Sequence, residues 1–253
     1  MGQFIYLIFV GLTLMASGFA SADELPSNGM GPGDPKKPQL VVVAPSKVFT
    51  PYGFDDNDNA QVVVYGNFPN TCYKVGPVET SINERTHEVS LRTYAYFYDG
   101  CWCLDVLVPY SQVVNLGVMD KGQYKILSLA KDGTTREMGG LPIAVAKTPA
   151  PDDYLYAPVR EASLEKLGSD GSKVLVMRGY YSNTCMAFQE AKIFYRAPNT
   201  IEVLPILHMN GQSCRDESRP FEIKVTLKPT QTGETLVHIR SLNGQSLNLT
   251  TEF

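Results

Sequence analysis

Thiols, imidazoles, a run of carboxylates and an aromatic strand are the groups in this 253-residue chain whose types and spacing could do chemistry. The thiols are Cys72, Cys101, Cys103, Cys185 and Cys214. Cys72 ends the stretch Gly66-Asn67-Phe68-Pro69-Asn70-Thr71-Cys72, and the same G-x-(F/Y)-x-N-T-C pattern returns at Gly179-Tyr180-Tyr181-Ser182-Asn183-Thr184-Cys185. Gly100-Cys101-Trp102-Cys103-Leu104-Asp105 recurs as Gly211-Gln212-Ser213-Cys214-Arg215-Asp216. Repeat symmetry favours the bridges Cys72–Cys103 and Cys185–Cys214. Each closes about 30 residues, which restricts the unfolded chain by roughly 3–4 kcal/mol. Cys101 faces Gln212 in the second copy and is left as an unpaired thiol. A Cys72–Cys101 bridge with Cys103 free is the alternative, and a free thiol could join two copies into a homo-oligomer. C-x-C with one further cysteine lacks the paired knuckles of a zinc site.

The histidines are His87, His208 and His238. None lies in H-E-x-x-H or another paired-ligand spacing. His238 belongs to the alternating run Leu236-Val237-His238-Ile239-Arg240, where the pattern points it to solvent. No G-x-S-x-G elbow, phosphate loop or dinucleotide fingerprint is present, so neither a catalytic residue nor a cofactor is expected. The densest carboxylates are in Gly53-Phe54-Asp55-Asp56-Asn57-Asp58-Asn59. Asp55, Asp56 and Asp58 form a weak calcium candidate, because the run lacks the glycine and terminal glutamate of a calcium loop. A turn with side-chain-to-backbone hydrogen bonds explains it without metal.

The strongest candidate for recognition is Thr93 to Cys103. On a strand, Tyr94, Tyr96 and Tyr98 share one face, and Ala95 and Phe97 share the other. If Ala95 and Phe97 face the core, three tyrosines stand outward beside Trp102, the chain's one tryptophan. The second copy has Pro205 to Asn210 here, without the aromatics. Tyrosine and tryptophan offer large contact area at low entropic cost and stack on sugar rings. Cross-strand packing is the competing explanation.

Positioning these groups falls to short strands. Val41-Val42-Val43, Gln61 to Gly66, His87 to Tyr98, Gln112 to Leu116 and Tyr124 to Leu129 are β-branched or aromatic and bounded by turn residues. The second copy repeats them from Lys173 to Ile239. Asp132-Gly133 and Asn243-Gly244 read as type I′ hairpin turns, and Ala162 to Leu167 reads as a short helix. A self-similarity of about 110 residues is domain-sized. Strands this dense predict two antiparallel sandwiches. The run from Leu116 to Tyr124, with Gly122 two residues before the tyrosine, resembles the corner of immunoglobulin-like and fibronectin-type domains. The resemblance implies an all-β chain of two tandem immunoglobulin-like sandwiches, with no function carried over. A bridge of about 30 residues is too short for the inter-sheet link of antibody domains, which implies a staple at a loop.

The expected organisation is a signal peptide at 1–22, a flexible lead at 23–39, domain 1 at 40–146, a proline-rich linker at 147–158 and domain 2 at 159–253. The first 22 residues carry no Asp, Glu, Lys or Arg and end in Ala20-Ser21-Ala22, a small-x-small cleavage pattern. No later segment could span a membrane. Export makes disulfides chemically sensible and points to a periplasmic, surface or secreted protein of bacterial style. A net charge of −4 without a basic run disfavours nucleic acid. The reading is an exported, non-enzymatic binding protein that presents the domain 1 aromatic hairpin to an envelope protein or glycan. The alternatives are an inhibitor or accessory factor that uses loops such as 55–59, and a hydrolase with a site between the domains.

Overall fold

A computed structural model describes residues 37–99, 102–196, 198–211, 213–228 and 232–253. The leader 1–22, the lead up to residue 36, and Cys101 lie outside the described residues. Among those described, all regular structure is strand. The first module holds β1 (Gln39–Val42), β2 (Lys47–Phe49), β3 (Phe54–Asp55), β4 (Ala60–Phe68), β5 (Tyr73–Asn83), β6 (Glu88–Phe97), β7 (Val108–Gly117), β8 (Gly122–Leu129) and β9 (Thr135–Ala144). The second holds β10 (Val159–Lys166), β11 (Lys173–Asn183), β12 (Met186–Arg196), β13 (Thr200–Met209), β14 (Asp216–Leu227), β15 (Glu234–Ser241) and β16 (Gln245–Glu252).

Each module is an immunoglobulin-like sandwich, and the two share one plan. In the first, the sheet β2-β4-β7 faces a sheet built on β5-β6-β8-β9. In the second, β10-β11-β14 faces β12-β13-β15-β16. Pairing is antiparallel except for β6 with β8 and β13 with β15, which run parallel at equivalent places, and the short β3, which runs parallel to β9. The chain leaves the sheet after β6, runs back as β7 in the facing sheet and returns as β8, so β8 lies alongside β6 in the same direction. β1 fills the remaining length of β6, pairing Gln39 with Phe97 and Val42 with Tyr94.

The expected helix at Ala162–Leu167 is instead part of β10. Ala162 and Leu164 pack on the second core while Ser163 and Glu165 are exposed. That period of two, paired with β11, overrides the helix propensity of Ala, Leu, Glu and Lys. The two expected hairpin turns also differ. Asn243 (φ 62°) and Gly244 (φ 66°) are both left-handed, but Ser241 pairs with Gln245, so three residues close this turn rather than the two of a type I′ hairpin. At the other turn only Gly133 (φ 84°) is left-handed, and its N–H donates to the Ala130 carbonyl. That is a three-residue loop with a bulge glycine.

The repeated motif is a physical unit. Gly66 sits opposite Tyr110, and Gly179 opposite Phe221. A Cβ on Gly66 would come 2.7 Å from the Tyr110 hydroxyl, and one on Gly179 would come 2.8 Å from the Phe221 ring. The glycine makes room for that ring, and the aromatic two residues on stacks against it: Phe68 on Tyr110 at 4.2 Å, Tyr181 on Phe221 at 4.6 Å. The asparagine carboxamide then accepts from the cysteine N–H, at 3.0 Å from both Cys72 and Cys185. The threonine exchanges two bonds with the loop after the second cysteine, Thr71 with Leu104 and Thr184 with Arg215. The bridges Cys72–Cys103 and Cys185–Cys214 complete each unit.

The modules dock along a shared face. Val62 and Val64 of β4 point into the first core, whereas Val63 and Tyr65 join Phe49 and the second module's Leu236. In β15, Val237 and Ile239 fill the second core while Leu236, His238 and Arg240 turn toward the first module. The linker is not free: Ala157 N–H donates to the Pro205 carbonyl, Leu155 accepts from Leu207, and Tyr156 bridges to Ile206.

Candidate functional site

On β6, Thr93 and Ala95 are buried and Tyr94 and Tyr96 point outward. Tyr94 Oη donates to Glu79 Oε2 at 2.9 Å. Tyr96 is part-exposed, opposite Leu40 on one side and Lys74 on the other. Phe97 departs from the expected inward placement. It is half-buried at the strand end, with its ring 4.9 Å from that of Tyr73. Tyr98 lies beyond β6, its N–H donating to the Cys72 carbonyl, so the strand's alternation does not set its direction.

Trp102 is wholly exposed, and Leu104 (68%), Val106 (51%) and Leu107 (73%) follow it before β7 begins. These side chains stand free on a fastened backbone. Cys103 is bridged to Cys72, Leu104 is bonded to Thr71 through both its N–H and its carbonyl, and the Val106 N–H donates to the Leu104 carbonyl. The equivalent segment of the second module is held by its own bridge and by the Thr184–Arg215 bonds, but it carries Ser213 and Arg215 before β14 and Asp216, Glu217 and Ser218 at the start of β14, with Arg215 and Glu217 3.6 Å apart. One scaffold therefore presents an apolar tip in one copy and a charged tip in the other. Exposed apolar clusters of this kind mark interaction sites. Sequence reasoning picked out Trp102 and missed Leu104, Val106 and Leu107. The signal was available in the same alignment, where they face Arg215, Glu217 and Ser218.

The carboxylate run is committed to structure. Asp58 is buried and pairs with Arg240 Nη2 of the second module at 2.8 Å. Asp56 accepts from Ala146 N–H, Asp55 accepts from Asn57 N–H, and the Asn57 carboxamide donates to the Thr148 and Ala150 carbonyls. The run ties the linker and the second module to the first. No group of three or more His, Cys, Asp or Glu among the described residues is placed to hold a metal ion.

His238 is a correction: it is fully buried rather than solvent-facing. The first module covers the outer face of β15, so alternation along that strand separates one core from an inter-module face, not core from water. Its ring lies edge-on to Phe54 at 5.6 Å. Its Nδ1 is 2.8 Å from Asn248 Oδ1, and Asn248 Nδ2 donates to Gln61 Oε1 at 2.7 Å. Burial pushes its pKa down to about 4, so the ring is neutral near pH 7. Glu202, paired in register with His238, is buried too, and burial pushes its carboxyl upward against the pull of Arg196 and Arg240. His87 lies edge-on to Tyr124 in the first module, and His208 lies on β13. The three imidazoles lie on different elements, and those of His87 and His238 have different ring partners. The His238 ring is closed off from solvent.

Among the described residues no helix is long and apolar enough to cross a membrane. Two disulfides fit an oxidising environment. A family model described as the ORF11 beta-sandwich domain matches residues 62–134, from β4 to the turn before β9. The match takes in the aromatic strand and the apolar tip. No curated protein and no solved structure matches the chain.

Proposed function

We propose that this chain is an exported, non-enzymatic binding protein of the cell envelope, and that it engages a protein partner through the apolar tip at 102–107. The observation that carries this reading is Trp102, Leu104, Val106 and Leu107 exposed together on a backbone that a disulfide and the Thr71 bonds hold still. A fastened loop loses little entropy on binding, and tryptophan is a favoured anchor residue at interfaces. Asp105 lies within the apolar run and would have to enter the lipid with it, which favours a protein groove with a basic rim over a bilayer. The leader and the two disulfides support export. An inhibitory contact would fall to the same tip, since residues 55–59 are taken up by the module junction.

The test exchanges the tip for its counterpart: Trp102→Ser, Leu104→Arg, Val106→Glu and Leu107→Ser. The second module carries those residues at the equivalent positions after its own bridge. Partner recovery from native envelope extract should fall at least about tenfold with the far-UV spectrum unchanged, as loss of a hot spot of about 2 kcal/mol or more implies. Equal recovery by the folded variant would overturn the reading.

A further inference from the structure

A cleft of about 510 Å³ opens between the modules, on the solvent side of the junction that buries His238. The first module lines it with Asn59, Gln61 and Asn115, and the second with Gln245, Ser246 and Asn248. Its volume lies within the roughly 300–1,000 Å³ of small-molecule sites, which favour domain interfaces. Every polar side chain in the lining is a carboxamide or a hydroxyl, and none is charged. Such groups donate and accept at once, as sugar hydroxyls do. An ionic ligand would find no counter-charge here and would lose hydration without compensation. Val113, part-exposed in the same wall, offers an apolar surface for the C–H face of a ring.

The polar wall is oriented from inside the protein. Asn248 gives its Nδ2–H to Gln61, so its Oδ1 faces His238, and Nδ1 of that ring carries the proton. Gln61, more than nine-tenths buried, receives at Oε1 and is left with the donor end of its carboxamide. Ser246 Oγ is a buried atom with no hydrogen-bond partner among the described residues. A fixed donor and an unsatisfied hydroxyl therefore belong to one neutral cleft.

We propose that this inter-module cleft is a binding site for a neutral saccharide, separate from the apolar tip and independent of it. The test is titration of the mature protein with neutral oligosaccharides of glucose, galactose, mannose and N-acetylhexosamine, and with uronate and glucosamine oligomers as charged counterparts. At least one neutral sugar should saturate a single site, with the charged oligomers at least about tenfold weaker. Asn115 and Gln245 are exposed, so Asn115→Ala and Gln245→Ala should fold normally. Together they should weaken binding about tenfold, the loss of two neutral hydrogen bonds. The tip exchange at 102–107 should leave sugar binding unchanged. The proposal is overturned if no neutral sugar saturates, if charged oligomers bind as well, or if the double variant binds like the parent.

Discussion

At the residue scale, the junction concentrates the chain's buried polar chemistry. Asp58 and Arg240 are both nearly inaccessible and 2.8 Å apart. Arg240→Met would leave the Asp58 carboxylate buried without its cation, and should cost about 3–5 kcal/mol in urea unfolding. Replacing both, as Asp58→Leu with Arg240→Met, should recover most of that loss, because the desolvation cost of the pair disappears with it. His238 makes the junction sensitive to pH. Its folded pKa is about 4 against an ordinary value of 6.5, so the unfolded chain binds the extra proton between those limits. Stability should therefore fall by on the order of 3 kcal/mol as pH drops from about 6.5 to about 4. Glu202 acts with the opposite sign, since its raised pKa lets the folded state take up a proton first. Arg240 remains charged throughout. Comparing the pH dependence of the melting temperature for the parent and for His238→Asn, which keeps a donor toward Asn248, isolates the histidine. Equal slopes would remove it from the account.

At the element scale, the repeated unit predicts where the fold is intolerant. Gly179→Ala would force a methyl into the Pro158 carbonyl and the Phe221 ring, and Gly66→Ala would force one into Tyr110. Overpacking of this kind costs about 1–3 kcal/mol. Gly66→Ala should be partly rescued by Tyr110→Leu, a coupling that a double-mutant cycle reads directly. The bridges belong to the same unit. Cys185→Ala with Cys214→Ala opens a 29-residue loop and should lower stability by about 3 kcal/mol. The tip loop fastened by Cys72–Cys103 should lose hydrogen-exchange protection at Leu104 and Val106 on reduction.

At the scale of the whole molecule, the modules are repeats in plan and unlike in role. The first carries the apolar tip. Its outer β4 face also covers Leu236, His238 and Arg240. Residues 147–253 made alone would expose those three side chains to water. That fragment should melt well below the intact protein and bind a hydrophobic dye; a melt matching the intact chain would show that the docked face contributes nothing to stability.

Much of this was legible beforehand, because it rests on local pattern. The duplication, the bridge Cys185–Cys214, the strand-rich plan and the outward Tyr94 and Tyr96 follow from repeat symmetry, residue spacing and a period of two, whereas spacing favoured Cys103 over Cys101 as the partner of Cys72 and the folded chain decided it. What was misread depended on which surface lies against a strand. Alternation along β15 is the same whether water or another module covers its outer face, so only the docked structure shows His238 buried and Asp58 bound to Arg240. Ala162 to Leu167 has a composition that suits a helix, and pairing with β11 decided otherwise. The cleft belongs to neither module's sequence, since Gln61 and Asn248 meet only after both sandwiches have folded and docked. Local period and repeat symmetry determined the modules; burial, which depends on what is far away in the chain, decided the junction, the tip and the cleft.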